Sequence, residues 1–265
     1  METESTTAPV PTESSGGPRL LQLAAFFSSF DRFVVAPMLL TIAASLGASL
    51  TEVAAMASLY YLLYGLMQPV WGMASDRLGR VRVMRLTLFG AAVAGILSAL
   101  APNLGVLIAT RALAGGFFAA VIPASLVYIG DTVEMGSRQR SLADLMAASA
   151  VGTATATVLG GLAAYLDGWR VAFAVPAIAG AALAILLARL PEPKAFAEHE
   201  QAGALVQAGR VLVQPWALVV IVIAMVEGAV IRRGAACGGG FLRLALHDSR
   251  PCGRSPWDLR RPGTP

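Results

Sequence analysis

Long apolar runs recur through this chain, and the arginines are gathered into the short segments between them. Residues 53–71 and 86–101 hold no charged side chain, yet four arginines, Arg77, Arg80, Arg82 and Arg85, lie in the gap between them. Runs near 20–44, 52–74, 83–101, 104–129, 141–166 and 170–190 approach or exceed the roughly 20 residues needed to cross a bilayer. A further run near 212–231 is a candidate seventh span. Hydrocarbon offers no partner to a backbone N–H or C=O, so each span must satisfy its own backbone and be a helix. This reading predicts an all-α membrane protein.

The arginines also predict how the spans are threaded. With the N-terminus inside, ten basic residues face the cytoplasm: Arg19, Arg77, Arg80, Arg82, Arg85, Arg138, Arg140, Arg189, Lys194 and Arg210. The outer turns near 45–51, 102–103 and 167–169 are bounded by one, Arg170. Loops bearing Lys and Arg stay cytoplasmic, so the expected location is the inner cell membrane, with the N-terminus cytoplasmic. Charged residues make up 14% of the chain, against roughly 25% in soluble domains. Residues 1–18 are rich in Thr, Ser, Pro and Gly, lack the cationic start of a signal peptide, and read as a disordered cytoplasmic tail.

The segment from Gly72 to Arg85 carries the most specific pattern. Gly72, Asp76, Arg77, Gly79 and Arg80 stand in the order and spacing of the loop between the second and third helices of the major facilitator superfamily, which this loop resembles. Ala74 and Val81 depart from that pattern. The resemblance implies a gating loop and an N-terminal six-helix bundle of the major facilitator fold over 19–190, made of two inverted three-helix repeats. It also implies a linker at 191–211 that leads to a second bundle, with substrate bound between the two.

Several spans carry polar groups that lipid would penalise. Asp31 and Arg32 lie near the middle of the first, where a charge costs on the order of 3 kcal/mol unless it meets a cavity or a partner. Adjacent helical residues point about 100° apart, so the two do not share one partner. Pro37 is expected to bend this helix. Arg111 lies about two turns inside the fourth span, and Arg111 to Gly115 resembles the family's fourth-helix motif. Asp31 and Arg111 should reach similar depths from opposite faces, so the expectation is that they pair. In related drug–proton antiporters, a first-helix acid followed by proline is implicated in proton coupling, and Asp31 with Pro37 is similar to that feature. Tyr60, Tyr64, Gln68 and Gly72 share one face of the second span, which suits a cavity wall or an interhelical contact.

In the fifth span Gly152, Ala156 and Gly160 recur every four residues and, with Gly161, read as a close-packing face. Together with Thr157 they resemble an antiporter motif in which the place of Thr157 is a proline and that of Ala156 a glycine. Gly115 is expected to serve packing in the fourth span. Gly168-Trp169-Arg170 resembles the family's turn before the sixth helix, with Trp169 read as an aromatic-belt anchor at the outer boundary.

Beyond residue 231 the text changes. Residues 232–265 hold seven Arg, six Gly and four Pro, with no helical period. They read as an irregular tail, as if the natural frame were lost near residue 231. Cys237, His247, Asp248 and Cys252 match no standard metal spacing, and no phosphate loop or nucleophile triad is present. The expected function is therefore transmembrane secondary transport rather than enzymatic chemistry, with no cofactor and no metal. Membrane lipid, a small-molecule substrate and protons are the expected partners, and nucleic acid is not. Proton-coupled export leads. The alternatives are a symporter or facilitator of a polar solute, and a non-transporting membrane fragment.

Overall fold

The computed structural model describes residues 17–193, and every regular element among them is helical. The linker beyond 193, the seventh run at 212–231 with Glu227, and residues 232–265 lie outside the described residues, as do residues 1–16.

Six helical segments are long and apolar enough to cross a membrane. The first, Gly17–Leu46, is α1 (Gly17–Phe33), a one-turn 3-10 helix at Ala36–Met38 and α2 (Leu39–Leu46). Pro37 lies in the 3-10 turn and supplies no N–H, which breaks the α-helical ladder there. The second and third spans are α3 (Leu50–Leu78) and α4 (Arg80–Ala99). The fourth is α5 (Leu104–Phe118) followed by α6 (Val121–Thr132), the fifth α7 (Met135–Tyr165) and the sixth α8 (Trp169–Leu186).

The chain is helical closer to its turns than the apolar runs indicate. The charged stretch after residue 74, expected as a loop, continues α3 to Leu78, and α4 starts at Arg80. One residue, Gly79, makes the turn, with φ at +101°, a conformation open to glycine and hostile to other residues. The fifth helix likewise begins at Met135 rather than near 141. Arginine is a good helix former, so charge ended the apolar run without ending the helix.

Local signals fix two further starts. Ser49 and Glu52 form a reciprocal capping box on α3, and the Asn103 side chain accepts from Val106 N–H at the start of α5.

The main helix pairings are α1 on α7, α3 on α5, and α4 on both α8 and α5, with α1 also meeting α8. Exchanging spans one to three with spans four to six maps this set onto itself. Two inverted three-helix repeats produce that pattern, and in each repeat the first span is the broken one.

Buried apolar side chains form two clusters. One, around Leu88, Phe118, Ile129 and Leu145, reaches toward the arginine-rich turns. The other, around Met38, Met56, Leu107, Trp169 and Phe173, fills the opposite end. On the outside, Leu40, Val158, Ile178 and Ile185 are each 64–72% exposed. Such a surface suits lipid rather than water. The protein is a multi-pass membrane protein.

Candidate functional site

A buried ion pair stands where the two apolar clusters meet. Asp31 ends the last full turn of α1, and Arg111 projects from α5. They are 1% and 0% exposed. Arg111 Nη1 donates to Asp31 Oδ1 at 2.8 Å and Nη2 to Oδ2 at 2.8 Å, a two-pronged pairing of guanidinium and carboxylate. Nη2 also donates to the Asp31 carbonyl at 2.9 Å, so side chain and backbone of the first span are held together. The Tyr60 hydroxyl of α3 donates to Asp31 Oδ2 at 3.1 Å. The guanidinium lies over the rings of Tyr60 and Phe173, 4.9 and 4.6 Å from their centroids. Four spans therefore converge on one pair of charges.

The face of α3 is divided rather than continuous. Tyr60 and Tyr64 are buried and stacked on each other. Gln68 and Gly72 are exposed and border a small groove of about 120 Å³ with Trp71, Ser75, Asp76 and Arg80. The expected cavity wall is thus an interhelical contact at Tyr60, because a phenol that reaches a buried carboxylate is drawn inward. Arg32 points elsewhere from Asp31: its guanidinium lies over Phe33 and Tyr64, and Nη2 reaches Ser29 Oγ at 3.5 Å.

The turn at Gly79 is tied down by carboxylates. Arg80 pairs with Asp76 at 2.8 Å, one turn back, and with Asp131 at the end of α6. Arg77 is exposed. Glu192, assigned from sequence to the linker, instead caps α4: its carboxylate accepts from Val81 N–H at 3.1 Å and Arg82 N–H at 2.8 Å. Tyr128 donates to the Pro191 carbonyl, so the bundle extends past 190. Asp131 carried no signal in the sequence. For Glu192 the cue was the run Pro191-Glu192-Pro193, whose target lies 110 residues away.

Gly79→Ala is expected to lose about 1–3 kcal/mol, the range for a residue forced into a glycine-only region. A Cβ there would also stand 2.8 Å from Glu192 Oε1. Thermal unfolding in detergent beside Glu192→Gln separates the two contributions, since the second change keeps the backbone and weakens only the cap.

The glycines of α7 meet α1 at its backbone. A Cβ on Gly152 would collide with the Phe26 carbonyl, and one on Gly160 would stand 2.8 Å from the Val34 carbonyl. Ala156 between them is fully buried. Gly115 packs against the Tyr60 carbonyl in the equivalent pairing of α5 with α3. Gly161 corrects the expectation. It faces open space, because it lies about 100° around the helix from the packing face. Trp169 is a second correction. It is 1% exposed, donates to Ser45 Oγ at 2.9 Å and packs edge-on to Phe173. Its indole N–H finds a partner within the bundle, and Arg170 covers its ring from outside.

The profile of the Major Facilitator Superfamily matches residues 21–232. The chain belongs to the major facilitator superfamily. Its members are transporters and not enzymes. A triacylglyceride transporter of Mycobacteroides abscessus is 29% identical over 175 residues, which cover 64% of this chain and 34% of that protein. The puromycin resistance protein pur8 of Streptomyces alboniger is 35% identical over 142 residues, 53% of this chain and 28% of its own length. The multidrug efflux pump LfrA of Mycolicibacterium smegmatis is 29% identical over 174 residues, 65% and 34%. The matched stretch is thus about a third of each relative. Among solved structures, the proton:xylose symporter XylE from E. coli superposes with a TM-score of 0.61 at 16% identity, covering 68% of this chain and 45% of that one. A bacterial homolog of the human lysosomal transporter Spinster gives 0.61 at 21% identity, covering 70% and 44%. These structural likenesses establish the major facilitator fold.

Proposed function

We propose that this chain supplies a six-helix half of a proton-coupled exporter of small apolar or amphipathic molecules. The observation that carries the reading is the Asp31–Arg111 pair, sealed between two apolar clusters and held by two further side chains, Tyr60 and Phe173. Each charge is cancelled only while the two groups touch, so a movement of the spans that parts them must bring a new partner to both. Charge at this site would thus be tied to a change of conformation, which is what coupling transport to an ion requires. Curated relatives named for puromycin resistance and multidrug efflux favour export, and one named as a triacylglyceride transporter favours an apolar cargo. Tyr64, Arg32 and Gln68 are proposed to face the path, while Gly72, Asp76, Arg77, Gly79 and Arg80 form the gate that the Arg80 carboxylate pairs hold shut. The arginine bias supports a cytoplasmic N-terminus in the inner membrane.

The test uses two proteins: the 265-residue chain, and a chimera in which residues 17–193 replace the matching part of the puromycin resistance protein. Both are reconstituted, and puromycin movement is followed under an imposed pH gradient. Gradient-driven movement by the chimera that disappears on collapsing the gradient supports the proposal. Movement unchanged without a gradient, or none by either protein although both are inserted, overturns it. Reporter fusions at residues 140 and 168 should fall on opposite sides of the membrane; the same side would remove the proposed orientation.

A further inference from the structure

A second feature lies on the outside of the bundle, away from the ion pair. Where α4 and α8 run together at their arginine-rich ends, they leave a groove of about 420 Å³ lined by Arg82, Arg85, Leu86, Phe89, Ile185 and the alanines 184 and 188. This is within the roughly 300–1,000 Å³ of small-molecule sites. The wall residues Leu86, Phe89 and Ile185 are 54%, 59% and 72% exposed, so the groove opens toward lipid. Its charged mouth is formed by Arg82 and Arg85, both exposed and both on one face at a spacing of three residues.

Two details show that the positive charge is available. Among the described residues neither arginine pairs with a carboxylate. Glu192, the acid at the start of α4, is engaged by the backbone N–H groups of Val81 and Arg82. Arg85 Nε donates across the groove to the Ala184 carbonyl at 3.3 Å, which fixes the guanidinium at the mouth and leaves its two terminal nitrogens directed to other partners. A pair of cations above an apolar slot, at the edge of a membrane-spanning bundle, matches a phospholipid that carries net negative charge. The phosphate would sit between the guanidiniums and an acyl chain would lie along Leu86 and Phe89. A zwitterionic phospholipid offers the same chain but cancels the charge.

We infer that the α4–α8 groove is a binding site for one anionic phospholipid, held by Arg82 and Arg85. This inference is independent of the transport reading, since it concerns the surface and not the path. Each juxtamembrane cation contributes about 1 kcal/mol toward anionic lipid, so losing both should weaken binding by at least about tenfold.

The experiment is native mass spectrometry of the purified 265-residue chain, titrated with phosphatidylglycerol, with phosphatidylcholine, and with inorganic phosphate as the soluble anion. The variants are R82Q/R85Q, A188W, which fills the slot and keeps the charge, and R19Q/R140Q as a control of equal charge loss elsewhere. The expected result is tight uptake of one phosphatidylglycerol, weakened at least about tenfold in R82Q/R85Q, reduced in A188W and unchanged in R19Q/R140Q. Equal uptake of the two lipids would overturn the inference. So would equal losses in R82Q/R85Q and R19Q/R140Q, or displacement of the lipid by inorganic phosphate at matching concentration.

Discussion

Arg111→Met is expected to destabilise the bundle by about 3–5 kcal/mol, the usual consequence of removing one partner of a buried ion pair. The Asp31 carboxylate, 1% exposed, would then keep only the Tyr60 hydroxyl as a side-chain donor among the described residues. Asp31→Asn should be harmful for the complementary reason, because it leaves a fully buried guanidinium without a counter-ion. Replacing both partners by apolar residues, Asp31→Leu with Arg111→Met, should recover most of the stability, since apolar packing often matches a buried pair. Unfolding by heat or by SDS in detergent micelles measures all three. A single Arg111→Met loss below about 1 kcal/mol would show that the pair does not hold the spans together. The double variant also divides structure from function: under the proposed mechanism it folds and inserts but carries no proton-driven flux.

The second large effect is expected at Gly152. Leucine there cannot be placed without moving α1, because its first side-chain atom would meet the Phe26 carbonyl. Overpacking of this kind costs about 1–3 kcal/mol and sometimes more, and the obstacle is backbone, which has little freedom to yield. Gly160→Leu should behave alike, since the Val34 carbonyl and the Pro37 ring stand in its way. Gly161→Leu is the internal control. Open space surrounds that position, and helix propensity alone favours leucine over glycine by up to about 1 kcal/mol. The comparison is read as thermal midpoint and as the monodisperse fraction after extraction. Equal losses at 152 and 161 would mean that close approach of α1 and α7 is not what these glycines provide.

The small turn at Gly79 is the centre of the proposed gate. Arg80 is shared by Asp76, across the turn on α3, and Asp131 at the end of α6, while Glu192 holds the start of α4. A turn of one residue cannot flex much by itself. Motion there must break pairs between separate spans, and this is how a gate can be both tight and reversible.

The amino-acid sequence alone determined the number of described spans, their helical state and their membrane setting, because hydrocarbon forces every segment to satisfy its backbone locally. It also determined that Asp31 and Arg111 needed partners, since an isolated charge in lipid is too costly to keep. Which groups complete the pair was decided only by tertiary packing. Tyr60 and Phe173 lie 29 and 142 positions from Asp31 along the chain, and no local pattern encodes such a meeting. The same holds for Glu192 on α4, Asp131 on Arg80 and the burial of Trp169. Helix ends misled the reading for a related reason: arginine stops an apolar run but supports a helix, so the turn narrowed to Gly79, where backbone conformation rather than hydropathy sets the boundary.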